Sequence, residues 1–99
     1  MKRLVLSAPR LHNVAMLTVI YFAKLREALG SGSEQLVLPP DVRDVDGLRR
    51  HLQSRGGIWQ EELRPGSPLR VAVNQEIGHG NTPVADGDEV AFFPPVTGG

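Results

Sequence analysis

Only one segment of this chain has a full helical pattern, and it lies between several short strand-like runs. That shortage of helix constrains the fold more than any other feature. Asp44 to Arg55 places Val45, Leu48 and Leu52 at i, i+3 and i+7, a single apolar stripe. Asp44 and Asp46 stand where a helix N-terminus favours negative charge, Arg55 stands at the other end, and Gly56-Gly57 follow as a stop. Around this helix the pattern is extended. Leu17 to Phe22 is β-branched and aromatic with almost no polar break, which predicts a strand buried on both faces and central in its sheet. Glu34 to Leu38 predicts a second strand ended by Pro39-Pro40. Leu69, Val71 and Val73 alternate with Arg70, Ala72 and Asn74 as a half-buried strand, and Glu89 to Phe93 forms the last one, stopped by Pro94-Pro95.

Smaller features fill the gaps. Ala23 to Leu29 suits a helical turn closed by Gly30-Ser31-Gly32, and Ile58 to Leu63 suits a short second helix or a packed loop. Asn74 to Thr82 reads as hairpin-like material, and Ala85-Asp86-Gly87-Asp88 as a turn. The order is two strands, a helix and two or three further strands. This is an α+β arrangement with a mixed four- to five-stranded sheet and one main helix, for which the β-grasp, or ubiquitin-like roll, is the expected architecture.

Ninety-nine residues support one domain, and one this small does not readily enclose a deep pocket. A carrier or binding module is therefore expected before a self-contained enzyme. With no cysteine, the chain has no disulfide, thiolate metal site or thiol nucleophile. Lys2, Arg3 and Arg10 stand in the first 15 residues with no acid, so acids outnumber bases by three in the remainder. That sign excludes nucleic acid as the main partner and suits a basic protein surface. No apolar run is long enough to span a bilayer, and no membrane partner is expected. Residues 1–15 begin like a signal peptide, but Ser7, Pro9 and Arg10 break the apolar stretch. They read as a disordered extension, with the folded domain running over 16–99 and located in the cytoplasm.

The chemistry is expected in the tail, residues 94–99. Pro94-Pro95 projects it stiffly from the last strand, and Gly98-Gly99 lacks Cβ atoms, so this backbone can thread a narrow channel in another protein. An unhindered terminal carboxylate is inert until an activating enzyme converts it to an acyl adenylate. A terminal Gly-Gly alone means little; one placed six residues or fewer beyond the last strand of a ubiquitin-like pattern is far more specific.

The run from Asp86 to Gly99, with Phe92-Phe93-Pro94-Pro95-Val96-Thr97-Gly98-Gly99 at its end, resembles the C-terminal signature of the MoaD family, the small subunits of molybdopterin synthase. Tyr21-Phe22-Ala23-Lys24-Leu25-Arg26-Glu27 and Val73-Asn74-Gln75 resemble two further segments of that family. The resemblance runs from about Met16 to Gly99. It implies a sulfur carrier for molybdenum cofactor biosynthesis, a sulfur-donating subunit whose active site belongs to the large subunit. A ubiquitin-activating-like adenylyltransferase adenylates Gly99 with ATP, a sulfur donor converts it to a thiocarboxylate, and the large subunit, in a heterotetramer, receives the sulfur for cyclic pyranopterin monophosphate. Gly98 supplies clearance. Phe92, Phe93, Pro94, Pro95, Val96, Thr97 and Arg26 line partner contacts, with Arg26 equally readable as a solvated cation. No bound cofactor is implied.

Other features carry less. His12, His51 and His79 are too scattered for a metal site, and none is expected. Asp86, Asp88 and Glu89 form a turn, with Asp88 or Glu89 available to a basic partner. Gly30-Ser31-Gly32-Ser33 lacks the lysine and following helix of a phosphate loop. Adjacent Phe92 and Phe93 must point to opposite faces, and the reading places Phe92 outward as a docking anchor, with Trp59 in the core. Three rival readings stay open: a thiamine-type sulfur carrier, a ubiquitin-like protein modifier and a non-covalent adaptor.

Overall fold

The structure, a computed structural model, describes residues 14–95. Five strands and three helices follow one another: β1 (Met16–Tyr21), α1 (Ala23–Leu29), β2 (Ser33–Val37), α2 (Val45–Gln53), α3 (Gly57–Glu62), β3 (Arg70–Val73), β4 (Glu76–Ile77) and β5 (Glu89–Phe93). The sheet order is β2-β1-β5-β3-β4. β5 runs parallel to β1 and antiparallel to β3, while the β1–β2 and β3–β4 pairs are antiparallel. This is the expected mixed α+β sheet, with α1 and α3 short beside α2.

All three helices serve one face of the sheet. The core gathers Leu17, Val19 and Tyr21 of β1, Val90 and Phe92 of β5 and Val71 of β3 against Leu25 of α1 and Val45, Leu48 and Leu52 of α2. β1 therefore departs from expectation. It is an interior strand, but β5 is the middle of the five, and only alternate residues of β1 are fully buried. Thr18 and Ile20 face the other side, where none of the described helices lies, and remain half-buried.

α2 begins where its stripe and cap predict. The Asp44 carboxylate accepts the Gly47 N–H at 2.8 Å, while the Val45 and Asp46 N–H groups donate to the carbonyls of Thr82 and Gly80 at 3.0 and 2.8 Å. The first-turn donors are thus satisfied within the chain. α1 closes on Gly30, whose φ of 72° is the left-handed cap that glycine adopts without steric cost.

The β3–β4 connection holds Asn74 and Gln75 at φ values of 51° and 71°, as a two-residue hairpin link requires. Asn74 then fastens the hairpin to the start of β5. Its amide donates to Asp88 at 3.0 Å and its carbonyl oxygen accepts the Glu89 N–H at 3.0 Å. Asp88 also accepts the Ala85 N–H at 2.8 Å, so this carboxylate is engaged in shaping the turn.

Arg55, expected as the last residue of the helix, lies beyond α2 and ties three elements together. Its guanidinium donates to both oxygens of Glu34 at 2.9 and 2.8 Å and lies 4.4 Å over the Trp59 ring. Trp59 is half-buried against the core, edge-on to Tyr21, and the Tyr21 hydroxyl donates to Glu34 at 2.7 Å. Arg55 holds the Glu34 carboxyl below its ordinary range, and burial pushes the Tyr21 phenol far above its own. A carboxylate whose folded pKa is depressed stabilises fully at neutral pH and loses that contribution as pH falls through the folded value. Glu34→Gln is therefore expected to cost about 1 kcal/mol at pH 7. The gap from the parent should narrow below about pH 4. Urea unfolding at the two pH values checks this; a gap independent of pH contradicts it.

Candidate functional site

β5 explains how the tail is presented. Val90 and Phe92 are buried in the core, Pro94 and Pro95 end the strand, and hydrogen-bonded neighbours hold β5 on both sides. Tyr21 and Val71 stand opposite Phe92, Arg70 stands opposite Phe93, and the Phe22 N–H donates to the Phe92 carbonyl at 3.2 Å. The root of the tail is therefore fixed at one end of the sheet, beside the start of α1 and the start of β3. Val96, Thr97, Gly98 and Gly99, like residues 1–13, lie outside the described residues.

Phe92 corrects the sequence reading. It is 1% exposed and belongs to the core, so the residue on the outer face is Phe93, which is half-buried. The reason is register. Phe92 pairs with Tyr21 and Val71, both inward-facing, and a period of two then sends Phe93 to the opposite side. Pro94 and Pro95 are half-buried. Arg26 is exposed on α1, its guanidinium stem over Gly32, where an added Cβ would sit 3.1 Å from Nε. It thus stands near the same end of the sheet, and among the described residues no carboxylate pairs with it.

The outer face is what the sequence reading missed. Register aligns Ile20, Ala91, Ala72 and Ile77 in one row across β1, β5, β3 and β4, with Phe93 a residue pair further toward the tail. Ile77 is 65% exposed, and Phe22, just past β1, is 48% exposed. The row gives an apolar character to a sheet face that none of the described helices covers. The signal was present in β1, whose apolar residues fill both faces, and in Val71-Ala72-Val73, where Ala72 stands in the place of a polar residue.

Beside the tail root, an open cleft of about 380 Å³ runs between α2 and the β3–β4 edge, with Leu69, Arg70, Ile77, His79 and Pro95 in its wall. Arg49 also lines it, but its guanidinium is spent on the carbonyls of Leu63, Arg64 and Ser67 at 2.7, 2.6 and 3.1 Å. Asp46 and His79 also line the cleft, but no serine, threonine or cysteine stands in its wall to serve as a nucleophile. Among the described residues no cluster of three metal-ligating side chains occurs, and no helix is long and apolar enough to cross a membrane.

Comparison with known proteins agrees with this geometry. The chain is 42% identical over 84 residues to the molybdopterin synthase sulfur carrier subunit of Escherichia coli, covering 85% of this chain and 100% of that one. It is similar to a solved protein–protein complex of subunits 1 and 2 of the molybdopterin-converting factor from Helicobacter pylori, with 29% identity, a TM-score of 0.55 and coverage of 85% and 99%. The small archaeal modifier protein 1 of Haloferax volcanii matches with 28% identity, a TM-score of 0.61 and coverage of 83% and 99%. Because residues 19–99 match the ThiS family and a curated sulfur carrier subunit aligns over its whole length, the chain belongs to the ThiS family and is similar within it to molybdopterin synthase sulfur carrier subunits.

Proposed function

We propose that this chain carries sulfur for molybdopterin synthesis on the carboxyl group of Gly99. The observation that carries the reading is the full-length match to a molybdopterin synthase sulfur carrier subunit. The fold supports it, since β5 delivers the tail from a fixed root beside an apolar face that none of the described helices covers. In this reading an adenylyltransferase joins the Gly99 carboxylate to the α-phosphorus of ATP and releases pyrophosphate. A sulfur donor then displaces AMP, so that one carboxylate oxygen is replaced by sulfur. Gly98 lets the tail enter the narrow channels of both enzymes. The chain itself holds no cofactor, and ATP is consumed by the activating enzyme.

The outer face, with Ile20, Phe22, Ile77 and Phe93, docks onto the large subunit of the synthase, where the pterin substrate and the acid–base groups reside. The complex of two subunits in the Helicobacter pylori relative motivates this partner. Pro95, Val96 and Thr97 line the entry of the tail, Arg26 meets the rim of a partner, and the assembly is a cytoplasmic heterotetramer. The match to an archaeal modifier protein favours one second reading, attachment of Gly99 to protein lysines. The thiamine-type carrier keeps the same tail chemistry and differs only in its acceptor.

Intact-protein mass after incubation with the activating enzyme, ATP and a sulfur donor tests the proposal. A gain equal to one oxygen exchanged for sulfur, absent when Gly99 is deleted, is the expected result. No gain with a demonstrably active enzyme rejects the carrier reading.

A further inference from the structure

We propose that Lys24 is an acceptor for the activated carboxyl terminus of a second copy, so that the chain carries its own modification site. The inference rests on activation of Gly99, and it begins with a census of nucleophiles. An acyl adenylate reacts with amines and thiols. The chain has no cysteine, and against nine arginines it has only two lysines, Lys2 and Lys24. Arginine remains a charged guanidinium at any physiological pH and does not attack acyl groups. Lys24 is thus the only side-chain amine among the described residues.

Its position adds the second argument. Lys24 is the second residue of α1 and is exposed. It follows Phe22, whose N–H donates to the Phe92 carbonyl, so it stands at the end of the sheet from which the tail leaves. Ala23, at φ 55°, turns the chain sharply between the strand and this helix. Among the described residues no hydrogen bond or ion pair holds the Lys24 amine. A surface that brings an activated tail to an enzyme therefore also brings this amine to the same neighbourhood.

The acceptor is on another copy for a geometric reason. Pro94 and Pro95 fix two successive φ angles at the root, and the four residues beyond Pro95 span at most about 14 Å. Closing so short a loop onto a lysine rooted beside its own base is unfavourable. A second molecule is under no such restriction.

The step balances without redox chemistry. The unprotonated Nζ of Lys24 attacks the carbonyl carbon of the Gly99 acyl adenylate, and a C–N bond forms. The bond from that carbon to the adenylate oxygen breaks, AMP leaves, and the amine proton passes to solvent. The sulfur donor competes for the same carbonyl carbon, so sulfur supply decides between thiocarboxylate and self-conjugate.

The test incubates the untagged full chain with its activating enzyme and ATP, with and without sulfur donor, and follows pyrophosphate release, intact mass and tryptic peptides. Without donor, a species of two chains less one water is expected. No Lys or Arg follows Arg70, so trypsin should yield a branched peptide joining Val71–Gly99 to Lys24. Lys24→Arg keeps the charge, should lose this species entirely, and should form thiocarboxylate like the parent when donor is present. The proposal is overturned if the linked species persists in Lys24→Arg or maps to Lys2 or the α-amino group. It is overturned equally if pyrophosphate is released and thiocarboxylate forms while no linked species appears. Absence of both pyrophosphate release and thiocarboxylate overturns the carrier reading and this inference together.

Discussion

Replacing Phe92 by alanine is expected to lower stability by about 3–5 kcal/mol. Phe93→Ala should cost less than about 1.5 kcal/mol. The two residues are adjacent and chemically identical, so the contrast isolates position. Phe92 is 1% exposed and faces Tyr21 on one side and Val71 on the other, across both strand pairs of β5. Truncating it leaves a void beneath the central strand, where no neighbour can collapse without moving a second strand. A domain of this size has only about 5–15 kcal/mol in total. The variant should therefore melt at least about 12 °C below the parent. Phe93 has one face in solvent, and its loss should be felt in partner binding. Thermal and urea unfolding of both variants decide the matter. Equal losses would reject the assigned register, because they would mean that the two rings share the burial.

That contrast also marks where the sequence stops being legible. α2 could be read from Val45, Leu48 and Leu52, because a helix writes its buried face into its own periodicity and Asp44 marks its start. The strands could be located but not ordered. That β5 lies in the middle of the sheet follows from its pairing with β1 and β3, some seventy and twenty residues away, and no local pattern records such pairing. The inward direction of Phe92 is a consequence of the same long-range register. β1 looked buried on both faces because its outer residues, Thr18 and Ile20, are as strand-prone as its inner ones. Local sequence does not reveal that all helices settle on a single face. Trp59, read as core, packs there with only part of its surface and gives the rest to Arg55. The tail motif is legible in the sequence itself, with Val96 to Gly99 lying outside the described residues. Its lead-in was only half so, since the apolar row from Ile20 to Ile77 exists only once four strands have been aligned.

The alignment of that row makes the second large effect specific. Ile77→Asp is expected to weaken association with the large subunit on the order of 100-fold. Unfolding free energy should shift by no more than about 0.5 kcal/mol. Ile77 is 65% exposed on the two-residue edge strand β4, so the domain hardly uses its side chain. A partner that covers the outer face must desolvate that position, and a carboxylate placed there meets apolar surface with no compensating donor. Val37→Asp is the control. It is 53% exposed and lies on the same face, but at the end of β2 paired with Met16, at the opposite end of the sheet from the tail root. Docking centred on the tail root should leave Val37→Asp close to parental affinity. Isothermal titration of each variant against the large subunit gives the answer. Loss at Ile77 with retention at Val37 places the partner at the β3–β4 edge beside the tail root, over the row or the cleft that Ile77 also lines. Retention at both rejects docking over the row and over the neighbouring cleft alike, because Ile77 belongs to both.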